Sequence, residues 1–309
     1  MSLPADRIAG IDRLRIVAAI GIVWFHTTEA PYRQIGYAGL PMFLLIFYSL
    51  IARHDAGITA RYFLKRRWNR LLKPWLFWSA VYGLCGLAKA AITMDGQGLR
   101  GMFTFRTFFT GTSIHLWYLP YAFISGLLVF EVNRRTRMIS HATVAVLAAI
   151  IGMLTLAACA TAMAGPALPV PLPQWEFGLA AIPLGLAIGR CLAIPSLALQ
   201  KALLAAICVA LLEEGLILQS LDLGAMSSPY GIAIVSVCLA YSWETRSDAL
   251  STAIAPLTCG IYLVHPMVIY ALSHVLSPSG HSGFFIALTV CISALITLAL
   301  SKTSIKRFL

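Results

Sequence analysis

Arg15 and His26 lie eleven residues apart in Ile11 to Glu29, IDRLRIVAAIGIVWFHTTE, a stretch that otherwise reads as a membrane helix. Eleven residues at about 100° each make three turns plus roughly 20°, so both side chains share one face, separated along the axis by roughly 16 Å. Ionisable groups at membrane depth normally face a protein-lined or water-filled cavity. A neutral imidazole placed there titrates in the range needed to take a proton from a hydroxyl nucleophile. Glu29, at i+3 from His26, is placed either to orient the ring or to meet the surface. A plainer reading stands beside this one: Arg15 is a topogenic charge that snorkels to the headgroups, and His26 caps the helix at the interface.

Three further groups have types and spacing of interest. The basic run Arg61 to Lys73, RYFLKRRWNRLLK, places Arg67 and Arg70 at i+3 and Arg66 and Arg70 at i+4. On a regular helix these are neighbours, and guanidiniums sharing a face make a phosphate clamp, because each presents a planar fork of donors. The alternative is a juxtamembrane basic segment that fixes topology and touches anionic lipid. His115, Trp117 and Tyr118 (HLWYL) fall where a span begins; an aromatic belt accounts for Trp117 and Tyr118 without chemistry. Tyr262 and His265, in YLVHP, share a face at i+3, and Pro266 breaks the local ladder, which favours a kink beside a cavity or a packed kink with a satisfied histidine.

The elements that must position these residues are membrane spans. The chain of 309 residues is 59% hydrophobic and 11% charged, against about 25% charged in a soluble domain. An all-α integral membrane protein in contact with the lipid bilayer follows, as a single polytopic domain over residues 1–309. Ten spans are expected at roughly 13–29, 35–51, 71–93, 114–131, 141–163, 175–193, 200–219, 229–242, 254–275 and 283–301. The Pro-rich stretch Gly165 to Pro173 divides the fifth from the sixth.

Of the 23 lysines and arginines, a ten-span arrangement with the N-terminus inside puts only Arg33, Arg100 and Arg106 outside, and Lys89 within the third span. The remaining nineteen fall on the cytoplasmic side, so cytoplasmic N- and C-termini are expected. The net charge of +11 thereby reads as orientation and contact with anionic headgroups or phosphates, and no nucleic-acid partner is expected. Met1 to Arg15 is polar and the first apolar run continues into a span, so no cleavable signal peptide is expected. The seven cysteines have no CxxC or metal-type spacing and read as small buried hydrophobes, with no metal expected. P-loop, GxGxxG, HExxH and GxSxG patterns are all missing.

Together the four groups resemble the acyltransferase-3 family of multi-pass membrane acyltransferases. Arg15 and His26 match its R-x10-H motif, and Arg67 and Arg70 look like its R-x-x-R motif. His115 to Leu119 is similar to its HLWFL element, and Gly260 to Pro266 (GIYLVHP) matches its late YLxHP element. Pro120 stands where many larger members carry a glutamate after the tryptophan, a departure that bears on the acceptor more than on the reaction.

The resemblance implies an acyl-CoA-dependent O-acetyltransferase of a cell or bacterial inner membrane, with acetyl-CoA as donor and a cell-surface or lipid-linked carbohydrate as acceptor. It allows a homodimer or polysaccharide-export partners. His26, with Arg15, is the expected catalytic group, as general base or covalent carrier. Arg66, Arg67 and Arg70 are expected to bind the donor, and His115, Trp117, Tyr262 and His265 to line the acceptor side. A transporter or flippase for an anionic or glycan-linked substrate is the alternative from another class; no internal repeat supports it. A third, a structural subunit of an export assembly, would leave no single polar residue essential.

Overall fold

The computed structural model describes residues 8–54, 57–94, 104–166, 168–242 and 248–309. Arg7, Arg100 and Arg246, counted above for orientation, lie outside them, as does Ala167 in the Pro-rich stretch. The described residues form helices and turns: α1 (Ala9–His26), α2 (Gly39–His54), α3 (Ala60–Arg67), α4 (Lys73–Thr93), α5 (Tyr118–Arg135), α6 (His141–Met163), α7 (Leu172–Leu179), α8 (Ala181–Cys191), α9 (Leu197–Ser220), α10 (Gly224–Ser242), α11 (Thr258–Ser273) and α12 (Ser282–Ser301), with shorter turns between.

Among the described residues, seven helices, Arg33–Arg53, Ala60–Thr93, Ile114–Arg135, His141–Met163, Leu197–Ser220, Ala249–Ser273 and Ser282–Ser301, are long and apolar enough to cross a membrane. The other three expected spans are helical too, but each departs from a plain apolar rod. The 18 residues of α1 include Asp12, Arg13 and Arg15. The apolar part of α10 is confined to Ser227–Ser242. The sixth expected span is two helices, α7 and α8, meeting at Ala180.

That break has a specific cause. In a continuous helix the Ala181 N–H would bond the Phe177 carbonyl. Here the Tyr230 hydroxyl from α10 is inserted instead: Ala181 N–H donates to Tyr230 Oη at 3.1 Å, and Tyr230 donates to the Phe177 carbonyl at 2.6 Å. Pro183, which has no N–H to offer Leu179, widens the same opening. Tyr230 is 1% exposed, so a side chain has replaced a backbone bond where water is excluded.

The centre of the bundle is α2, whose Leu44, Leu45, Ile46, Tyr48 and Ile51 are buried. It packs against α8 on one side and α1 on the other. Lipid gives no hydrophobic drive for helices to associate, so contact depends on close approach of small residues. A Cβ at Gly21 of α1 would sit 2.8 Å from the Gly36 carbonyl oxygen, and one at Gly39 would run into the Ala18 carbonyl. These contacts bring α1 against the segment leading into α2.

The other end of α1 is held electrostatically. Arg13 donates to Asp248 Oδ2 through Nε at 2.9 Å and through Nη2 at 2.8 Å. Asp248 also caps the turn of helix at Ala249–Ile254 by accepting from Ser251 N–H at 2.7 Å. The Ser251 N–H, and then Arg13, hold its carboxyl well below the usual carboxylate range, so the clip stays charged at neutral pH. It ties the start of α1 to the segment that continues into α11.

Some sequence expectations change. Arg190, counted as a topogenic charge, is 2% exposed. It donates through Nη2 to the Asn133 carbonyl (2.8 Å) and Thr136 Oγ1 (2.7 Å), and its Nη1 lies 3.2 Å from His141 Nδ1. A cation at a helix C-terminus complements the dipole and the orphan carbonyls, and Arg190 does this for α5. The cysteines divide: Cys159, Cys191 and Cys238 are buried, whereas Cys85, Cys259 and Cys291 are on the outer surface of the bundle.

Gly39→Leu should lower stability by about 1–3 kcal/mol or more, because the side chain meets backbone that cannot rotate away. Thermal unfolding of the purified protein in detergent measures this; a variant as stable as wild type would contradict the close α1–α2 approach.

Candidate functional site

His26 is the last residue of α1. Its ring lies 5.1 Å from that of His265 on α11, and His265 lies 5.8 Å from His115, centroid to centroid. Three histidines from distant parts of the chain therefore meet in one cluster. His115 and His265 are buried, His26 half-buried.

The position of His265 follows from Pro266. A proline has no N–H, so in α11 it leaves the carbonyl four residues earlier, that of Tyr262, without its helical donor. His265 Nδ1 lies 2.7 Å from that oxygen. A carbonyl only accepts, so Nδ1 carries the hydrogen and Nε2 of the neutral ring presents its lone pair. Among the described residues, neither His265 Nε2 nor His115 Nε2, both buried, has a hydrogen-bond partner. Ser113 Oγ lies 2.9 Å from His115 Nδ1. The cluster thus holds two imidazoles tethered at one nitrogen and unbonded at the other, beside His26.

His115 sits on the short helix Ile114–Trp117. Tyr262 O–H donates to its carbonyl, which locks that turn onto α11. Tyr82 of α4 packs edge-on to the His115 ring at 4.8 Å and donates its hydroxyl to the Leu263 carbonyl at 2.8 Å. Tyr118 lies 5.6 Å from the Tyr262 ring. Sequence reasoning missed Tyr82 and Ser113, and no local pattern marks Tyr82; a polar aromatic ring within an apolar span is the only hint. Trp117 is buried rather than in an interfacial belt, and its ring contacts are with Tyr118 and Tyr121. It is the one member of the expected acceptor side with no ring contact to the histidines.

Arg15 stands on the same helix as His26 but does not reach it. Its Nη1 lies 3.6 Å from Asp12 Oδ1 in an i,i+3 pair. Its side chain is 34% exposed, so it sits at the edge of the bundle core, three turns from the imidazoles.

The basic run differs from a regular helix. The chain passes through a π turn, Trp68–Leu72, between α3 and α4. The wider turn corrects the expectation that Arg67 and Arg70 share a face. Arg67 is buried, with its guanidinium 4.7 Å from the Phe47 ring centroid and 4.8 Å from that of Phe63. Arg70 is exposed and Arg66 half-buried. Such π turns recur at functional sites, where they re-aim side chains. Here the effect is one arginine anchored between aromatic rings and one directed outward.

Among the described residues, no group of three or more histidine, cysteine or acidic side chains is placed to hold a metal ion.

A helical, multi-pass membrane protein with a histidine cluster drawn from three separate elements is the class that fold and site define. A family model described as an acyltransferase domain, of the acyltransferase-3 type, matches residues 8–301. The chain belongs to that family, and it is a membrane acyltransferase. Neither a search of curated proteins nor one of solved structures returns a match. Family membership gives the transporter reading no support.

Pro266→Ala restores an N–H that competes for the Tyr262 carbonyl. Nitrogen NMR of histidine-labelled protein should then show His265 losing its fixed Nδ1–H tautomer, and activity should fall. An unchanged His265 spectrum would contradict the role assigned to the proline.

Proposed function

We propose that this acyltransferase moves an acetyl, or another short acyl group, from cytosolic acyl-CoA to a hydroxyl of a cell-surface or lipid-linked glycan in a bacterial cell membrane. The observation that carries the reading is the meeting of His26 with His265 and His115 in a sheltered cluster. An O-acyl transfer needs a base for the acceptor hydroxyl in a site that keeps water from the thioester, and the burial of the imidazoles supports that assignment.

In the proposed step His26 takes the acceptor's hydroxyl proton as the oxygen attacks the thioester carbonyl. The carbon–sulfur bond breaks, coenzyme A leaves as thiolate, and the imidazolium returns the proton to it. His265, whose Nε2 is bare, and His115 orient the acceptor or the protonated His26. Tyr262 holds the His115 turn in place, and Trp117, the last residue of that turn, packs on Tyr118 and Tyr121. Arg15 meets the donor on its way along α1 and balances its charge.

The donor's phosphates fall to the basic run. Arg70, exposed, and Arg66, half-buried, would meet the phosphates, while Arg67, packed on Phe47 and Phe63, fixes the turn between them. The proposed arrangement has ten spans with both termini in the cytosol; in its support, seven helices among the described residues are apolar enough to cross, the other three expected spans are helical, and the lysine and arginine count favours that side for the basic run.

Two measurements test the reading. Purified His26→Ala should reach the membrane and lose on the order of 10²-fold or more of its acetyl transfer from acetyl-CoA to a panel of glycan acceptors. Transfer at the wild-type rate would overturn the base assignment. Arg70→Ala should raise KM for acetyl-CoA about tenfold with a small effect on kcat. Unchanged donor binding would return the run to a purely topogenic role.

A further inference from the structure

Beside the C-terminal turn, on a face of α11 different from that of His265, lies a cavity of about 640 Å³. Its walls come from α4, α11, α12 and the turn Ser304–Phe308, through residues such as Val81, Val268, Leu272, Ile292, Ile296 and Ile305. Every lining side chain is apolar except for the indole nitrogen of Trp78, and that N–H is donated to the Phe308 carbonyl at 2.9 Å. A second pocket of about 550 Å³ adjoins it, lined by Asn69, Lys73, Leu76, Phe77, Arg307 and Phe308. Phe77 lines both and stacks on Phe308 with ring centroids 4.5 Å apart. Lys73 and Arg307 are exposed, and neither has an ion-pair partner among the described residues.

We propose that these two pockets form one binding site for an anionic glycerophospholipid. The phosphodiester lies between Lys73 and Arg307, with Asn69 as a further donor, and one acyl chain occupies the apolar slot behind Phe77. Two cations with no acid beside them call for an anion. A slot with no polar group to spare calls for hydrocarbon, because any amide placed there would go unsatisfied. That excludes the amide-bearing arm of coenzyme A from the slot. The C-terminal turn, pinned by the Trp78 bond and the Phe77 stack, makes one wall of an open groove. Asn69 and Lys73 also lie in the basic run proposed for the donor, so the acetyl-CoA arm of the test separates this site from that one.

The test uses the full chain, purified in detergent, stripped of lipid and then offered equal amounts of phosphatidylglycerol and phosphatidylcholine with matched chains. Native mass spectrometry counts the retained lipid. Wild type should keep one phosphatidylglycerol per chain with a preference on the order of tenfold over phosphatidylcholine. Lys73→Ala with Arg307→Ala, both at the exposed rim, should abolish the preference. Val268→Trp, which fills the slot and leaves the charges, should abolish retention. Equal retention of the two lipids by wild type would overturn the site, as would a preference that survives the charge variant. Displacement of phosphatidylglycerol by acetyl-CoA, lost in the charge variant, would assign the basic pocket to the donor and overturn it too.

Discussion

A carbonyl released from its helical bond inside a bilayer has no water to turn to. The structure depends on how such groups are met from within the chain. At Pro266 the freed carbonyl is that of Tyr262, and His265 meets it with Nδ1, which settles the tautomer and leaves Nε2 bare inside the cluster. At Ala180 the opening is filled by the Tyr230 hydroxyl, bonded on both sides. At the end of α5 the orphan carbonyls are met by Arg190. The first of the three leaves an imidazole nitrogen without a hydrogen bond inside the histidine cluster. A solution to a backbone problem thereby also fixes the geometry of the histidine cluster.

The cluster further depends on where α1 ends. His26 reaches His265 because α1 is drawn against the start of α2 at Gly21, Gly36 and Gly39, and because Arg13 clips its other end to Asp248. The close glycine contacts set the lateral position of the helix, and the charged clip sets its height relative to α11. Tyr262 then fastens the His115 turn to the same helix. Three elements far apart in sequence are brought to one point by a small number of short contacts.

Much of this was legible in the sequence, and the reasons are local. Arg15, His26, Tyr262, His265 and Pro266 stand out because ionisable residues and proline are costly in an apolar run, so each marks itself. Seven of the expected spans coincide with helices long and apolar enough to cross, because apolar length defines them. What the sequence did not disclose rests on long-range packing. Arg190 reads as a topogenic charge until Asn133 and Thr136 are seen beside it. Trp117 reads as an interfacial aromatic until its burial is known. The pairing of Arg67 with Arg70 assumed a regular helix, and the π turn at Trp68–Leu72 has no simple sequence signal. Nor does any motif announce that Tyr82 would stack on His115.

The central claim is that the three imidazoles act as one unit, and a double-mutant cycle on His26 and His265 tests it most directly. The quantity to measure is kcat for coenzyme A release from acetyl-CoA by the purified full chain, in the presence of a glycan acceptor, for wild type, His26→Gln, His265→Gln and the double variant. Each single variant should be impaired and the double no slower than His26→Gln alone, since groups that work together lose their function once. Losses that multiply, or a wild-type rate for His265→Gln, would contradict it.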